Sequence, residues 1–359
     1  MILEMVEPFI PGIDPEENQW TLFSVLLVLS VSAVAMAAPA AGGYRLLQTI
    51  PVAGDDGWDH PTVDSAARRL YVTHGTHVVV IDIDSGKLVG KIDNTPGVHF
   101  TVVDPELDRG FISNGGAARL TIFNTKTLAA IGEVKSTGEN PGPTVFDPAT
   151  KRVFTFNLNT HNATVVDSKE GKVVGSFNLG GRPELVGTDA KGNVFANLVQ
   201  KNVVLQIDAK KMMVGQTWPV APGQGPRTMA VDQKNGRLFI GCANRLMVIL
   251  DSNNGRVISS VPIGPGPDDS AYDPETRLIY ISNGDGTVSV VQQESPDRYS
   301  VLETVKTAPG ARNMALDLKT KKIFLPLFDR GPPPPPTPET LNPRGNVIPG
   351  TFRVLVFGK

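Results

Sequence analysis

A short apolar run centred on one aromatic residue recurs seven times along the chain, as LYV, GFI, VFT, VFA, LFI, IYI and IFL, at Tyr71, Phe111, Phe154, Phe195, Phe239, Tyr280 and Phe324. Successive aromatics are 40, 43, 41, 44, 41 and 44 residues apart. A period of that length confines the chain to stacked or ring-closed arrays, because one such unit cannot bury its own apolar face. An aspartate precedes every aromatic: seven residues upstream at Asp64, Asp104, Asp147, Asp232, Asp273 and Asp317, and six upstream at Asp189. Aspartate opens tight turns by accepting from backbone N–H groups just ahead of it, so each unit begins as a hairpin.

The rest of each unit is equally regular. A third run follows (VVVIDI 78–83, LTIFN 120–124, ATVVD 163–167, VLQID 204–208, MVILD 247–251, VSVVQ 288–292, RVLVF 353–357), then a turn such as DSGK 84–87 or SNNGR 252–256. A fourth run closes six of the units, from LVGKI 88–92 to YSVLETV 299–305. Four antiparallel strands per unit, seven times over, predicts an all-β fold: a seven-bladed β-propeller spanning 44–359. The seventh unit ends at Lys359 after its third strand, and YRLLQTIPV 44–52 has fourth-strand character. The N-terminal strand is therefore expected to pair into the last blade and close the ring. Composition agrees. The 36 glycines and 30 prolines are close to one residue in five, which opposes a helical bundle. An apolar fraction of 40% with near-balanced charge opposes disorder.

The segment Arg-Leu-Tyr-Val-Thr (69–73), followed by Val-x-Val-Ile-Asp (78–82) and Ser-Gly-Lys (85–87), resembles the YVTN-type repeat of bacterial, extracytoplasmic YncE-like propellers. The resemblance covers 44–359, with later units drifting to FIS, FTF and FIG. It implies the fold and leaves activity open: the architecture hosts binding proteins, lactonases and quinone or haem enzymes, and the family has no fixed catalytic motif to carry over. Single-stranded DNA binding has precedent in the resemblance. No basic stripe with interleaved aromatics supports it here, so nucleic acid is not the expected partner.

Residues 1–37 read as a signal peptide. TLFSVLLVLSVSAVAMAA (21–38) is apolar and uncharged, and Ala35-Met36-Ala37 fits a small-x-small cleavage site. The preceding stretch has five acids and no base, the wrong sign for such a leader, which suggests a start assigned upstream of the true one. Cleavage makes the protein periplasmic or secreted; an uncleaved segment would bring membrane contact, since 18 apolar residues just span a bilayer. Without residues 1–37 the balance is 34 basic against 31 acidic, so bulk charge names no partner. The lone Cys242 excludes an internal disulfide and reads as a small apolar residue.

Propeller ligands usually bind at the mouth of the central channel, on the face made by loops entering the first strands and loops joining the second to the third. Positions four or five before each repeat aspartate should line it: Asp59/His60, His99/Phe100, Gly142/Pro143, Glu184/Leu185, Arg227/Thr228, Asp268/Asp269 and Arg312/Asn313, with Arg182 nearby. This mixed-charge ring serves either as a rim of inter-blade salt bridges or as a polar ligand site with Arg182, Arg227 and Arg312 gripping an anion. All five histidines, His60, His74, His77, His99 and His161, fall on the same face. Gly75-Thr76 suits a Gly-first two-residue turn that sets His74 opposite His77. Asp59, His60, His74 and His77 are expected to converge beside His99, a donor set suited to Zn²⁺, Cu²⁺ or Ni²⁺.

The sequence therefore predicts a binding propeller, a monomer acting on a protein or small-molecule ligand, with no cofactor required. The alternative is an enzyme, lactonase-like or metal- or quinone-assisted, built on the histidines. No nucleophile–base motif, nucleotide loop or haem attachment site is present to decide for catalysis. One insertion breaks the repeat: 329–350, with five consecutive prolines at 332–336, joins the second and third strands of blade seven. It is expected to project from the histidine-bearing face as a stiff surface loop, a lid or a docking arm. Pro141–Pro143 and Gly264–Pro267 are expected to be loops entering first strands.

Overall fold

The structure, a computed structural model, describes residues 43–337 and 343–359. The expected leader at 1–37 lies outside the described residues. Seven four-stranded sheets follow in chain order. Blade one holds strands Thr62–Asp64, Arg69–His74, His77–Asp82 and Leu88–Ile92. Blades two to six occupy 98–135, 141–178, 183–219, 230–262 and 267–306. Blade seven is built from both ends of the chain: Ala315–Leu316, Ile323–Leu327 and Arg353–Gly358 are joined by Arg45–Pro51, in register from Arg45↔Gly358 to Pro51↔Arg353. The edge that the last strand would expose is thereby paired. Among the described residues no helix is long and apolar enough to cross a membrane.

The repeat residues account for this regularity. Six of the seven aspartates accept a backbone N–H two residues ahead, as Asp64 from Ala66 (3.0 Å) and Asp232 from Lys234 (3.1 Å); the seventh, Asp147, takes it from the third residue, Thr150 (3.0 Å). The turn closes on a residue of positive φ in every blade: Arg68, Asp108, Lys151, Gly192, Gly236, Arg277 and Lys321. The seven aromatics are fully buried. Seven separate apolar clusters fill the seven interfaces between neighbouring blades, for example Tyr71, Val80, Ile112 and Phe123 between blades one and two. Every third-to-fourth strand pair also carries a register shift, such as Val80/Ile81 and Ile249/Leu250, which adds twist at the outer edge.

One expectation is corrected. Pro141–Asp147 is itself the first strand of blade three, so Pro141–Pro143 lies within the sheet, not in a loop before it. The innermost strand has a free edge toward the channel; Pro141 opens it opposite Asn157, and the register shift between Pro141 and Thr144 leaves Pro143 out of the ladder.

Candidate functional site

The loops entering the first strands converge on the channel mouth, and the mouth is lined as the aspartate register requires. A cavity of about 250 Å³ is bounded by Asp59, His60, His99, Phe100, Gly142, Pro143, Arg182, Glu184, Leu185, Arg227, Asp268 and Arg312, together with Leu158. Asp269 and Asn313 sit behind that wall and hold it. Both reach His60, 209 and 253 residues away along the chain.

His60 is the centre of the network. Its Nδ1 donates to Asp269 Oδ2 (2.9 Å), its Nε2 lies 3.3 Å from Asp59 Oδ1, and its ring stacks on Phe100 at 4.2 Å and 18°. Burial opposes the charged imidazolium, but the carboxylates of Asp59 and Asp269 outweigh it and push His60 up to about 9. His99 donates from Nδ1 to Asp59 Oδ2 (2.6 Å) and from Nε2 to Asn140 Oδ1 (2.9 Å). Against the same burial penalty, the bond to Asp59 raises His99 above the ordinary histidine range. Asp59, between two cationic rings, is held below its usual value although burial works the other way. For Asp269 burial prevails and lifts the carboxyl, with His60 opposing.

Across the mouth the pattern repeats with arginine. Glu184 lies 3.1 Å from Arg182 and 3.8 Å from Arg227, and burial raises its carboxyl against both. Asp268 forms an ion pair with Arg312, whose Nε lies 3.2 Å away, and accepts from the Asn313 amide (3.2 Å). Acids and bases thus alternate around the mouth, each acid shared between two neighbours. Arg182 and Arg227 remain about 40% exposed, at 42% and 41%, and are the cations free to turn toward a ligand.

The histidines do not form one cluster. His60 and His99 share Asp59. His74 pairs with His77, ring centres 5.0 Å apart, across a turn in which Gly75 alone has positive φ. That hairpin is as the sequence implies, and Asp59 N donates to Thr73 Oγ1 (2.9 Å) beside it. But His74 is fully buried under Phe352, stacked at 4.3 Å, while His77 is only half-buried. Burial, His74 and Lys91 hold His77 below the ordinary histidine range. No hydrogen bond or ring contact joins the two histidine pairs among the described residues. The expected convergence on one point fails because Phe328 and Phe352, at the two ends of the insertion, close over His74 with Trp58 against them. Among the described residues no group of three or more His, Cys, Asp or Glu is arranged to hold a metal ion. His161 closes the second turn of blade three, outside the mouth. Cys242 is buried, and burial pushes its thiol up to about 12.

Sequence reasoning missed Asn140, the second partner of His99. Its position two residues before Gly142 was the available signal. The described parts of the insertion form a stem: Arg330 bridges to Val347, and Asp329 holds Arg353 at 2.6 Å.

No protein-family model matches the chain. It is 23% identical over 237 residues to a protein named Antigen Lp49 of Leptospira interrogans serogroup Icterohaemorrhagiae serovar copenhageni (strain Fiocruz L1-130), covering 61% of this chain. The chain spans about half the length of that relative, 51% of it. Among solved structures, a chain of Kuenenia stuttgartiensis hydrazine synthase superposes with a TM-score of 0.67 at 16% identity, covering 76% of this chain and 94% of that one. The RRP9 WD40 repeats give 0.72 at 8% identity, covering 89% and 98%. At such identities these likenesses establish the propeller fold alone.

Proposed function

We propose that this protein is an extracytoplasmic, YncE-like binding propeller, a monomer that takes a small-molecule or protein ligand across its channel mouth. The observation that carries the reading is that the mouth's charges are satisfied by one another. His60 is held between Asp59 and Asp269, His99 between Asp59 and Asn140, and Glu184 between two arginines. Such a ring presents a fixed pattern of charge, which suits recognition. A general base needs an imidazole free near neutral pH, and His60 is held protonated. The apolar 21–38 segment with its small-x-small end, and a relative named as an antigen, support placement outside the cytoplasm.

A thermal-shift screen of anions, zwitterions and short peptides tests this with the full chain and an Arg182→Gln/Arg227→Gln variant. A ligand at about 100 times its Kd adds about 2.7 kcal/mol. Hits that raise the melting temperature of the wild type and not of the variant support the mouth; a screen whose hits, phosphate and sulfate esters aside, are all common to both contradicts it.

A metal-assisted reading draws on one observation, the buried His74 Nε2 with no hydrogen-bond partner beside His77. Metal analysis of untagged protein decides it. Less than about a tenth of an equivalent of zinc or copper, with no uptake on titration, removes the idea.

A further inference from the structure

A second cavity, of about 720 Å³, opens beside the mouth between the insertion stem and the loops of blades six and seven. Its floor is Trp58 and Phe328, its sides are Pro309, Pro333 and Pro343, and three arginines line it: Arg312, Arg330 and Arg344. Only Arg312 has an acidic partner, Asp268; among the described residues no carboxylate lies within ion-pair distance of Arg330 or Arg344. Asp329, which also lines the cavity, is already engaged by Arg353. The guanidiniums crowd one another. Arg312 first, then burial and Arg330, hold Arg344 below the usual arginine range. The Trp58 indole N–H is buried at the same place with no hydrogen-bond partner. A buried indole donor without an acceptor thus lies beside Arg344, which has no ion-pair partner among the described residues, and Arg330, whose Nη1 donates only to the Gly345 carbonyl (2.9 Å), a donor set that suits an anion.

We propose that this cavity binds a phosphate or sulfate monoester, with the oxyanion head among Arg312, Arg330 and Arg344 and an apolar body on Trp58 and the prolines. Three guanidiniums and an indole offer more donors than one planar carboxylate can accept, whereas a tetrahedral head presents oxygens in several directions. The apolar floor gives the remainder of the ester a surface to cover. The site shares Arg312 with the mouth, whereas Arg330, Arg344 and Trp58 line this cavity and not the mouth.

Titration calorimetry of the full chain with phenyl phosphate tests it. The expected result is one equivalent bound, weakened tenfold or more in Arg330→Gln/Arg344→Gln. Arg344→Gln alone, which removes no hydrogen bond to a described residue, should cost threefold or more, so a disturbed stem cannot mimic the effect. Quenching of tryptophan fluorescence on binding should disappear in Trp58→Phe. Arg182→Gln, across the mouth, should bind as the wild type does. Unchanged affinity in both arginine variants overturns the proposal. So does inorganic phosphate binding as tightly as the ester, which would leave the apolar floor without a role, or a loss in Arg182→Gln equal to that in the double variant.

Discussion

On the lower face of the ring seven aspartates do the same thing in seven blades, whereas on the upper face the seven corresponding loops carry seven different sets of side chains. Below, each carboxylate caps its turn, and several also tie neighbouring blades together. Asp317 receives both Arg68 Nη1 and Nη2 at 2.9 Å, and Asp104 receives the Ser168 hydroxyl at 2.7 Å. Above, the loops contribute Asp59–His60, His99, Arg182–Glu184, Arg227, Asp268–Asp269 and Arg312–Asn313, no two alike. What repeats builds the ring; what does not repeat is available for recognition. Identical units stacked edge to edge need identical turns, but nothing in the packing requires the opposite loops to match.

The largest effect should come from the scaffold. Deleting 44–52 removes the strand that closes blade seven and leaves Arg353–Gly358 as an open edge, so the single cooperative melt should be lost. A truncated protein melting within about 2 °C of the full chain would break the comparison at its base. Next comes a lower-face clasp. Asp317 is fully buried, and the Arg68 contact holds its carboxyl well below the usual range against the burial penalty. Arg68→Ala should cost about 3–5 kcal/mol by urea denaturation, because it strands a buried carboxylate. As Asp317 is held low, the clasp's contribution is present above the ordinary aspartate range and should fade only as pH falls through the folded-state value.

A smaller effect separates the upper face by pH. His60 rises from 6.5 to about 9 in the folded chain, so its stabilisation is complete below pH 6.5 and lost as pH climbs through about 9. That is roughly 3 kcal/mol at most. The decline over this window should shrink in His60→Gln to the smaller part that His99 contributes; a wild-type profile flat from pH 6 to 10 would contradict it. The smallest effect belongs to the exposed cations. Arg182→Gln and Arg227→Gln should each shift stability by less than about 0.5 kcal/mol. A loss comparable to that of Arg68→Ala would make the mouth arginines scaffold after all.

The lower face and the ring were legible in the sequence because they repeat: the aspartate-to-aromatic spacing set the strand register, and the register placed Asp59, Glu184 and Asp268 at the mouth. The His74–His77 pair was legible from a two-residue turn. The burial of His74 was not, because it depends on Phe328 and Phe352, more than 250 residues away and on either side of an insertion that no period describes. The same insertion brings Arg330 and Arg344 beside Arg312 and Trp58, a juxtaposition of blades one, six and seven that spacing along one chain cannot reveal.

With five histidines in the chain, the upper-face network can be read directly by NMR titration of the imidazole resonances, assigned by single substitutions. If the mouth is one linked set of charges, His60 titrates near pH 9 and His99 above 6.5, whereas His77, outside that set, titrates below 6.5. His60 and His99 both titrating near the ordinary histidine value would show that Asp59 and Asp269 do not hold the rings, and that the mouth is a solvated rim.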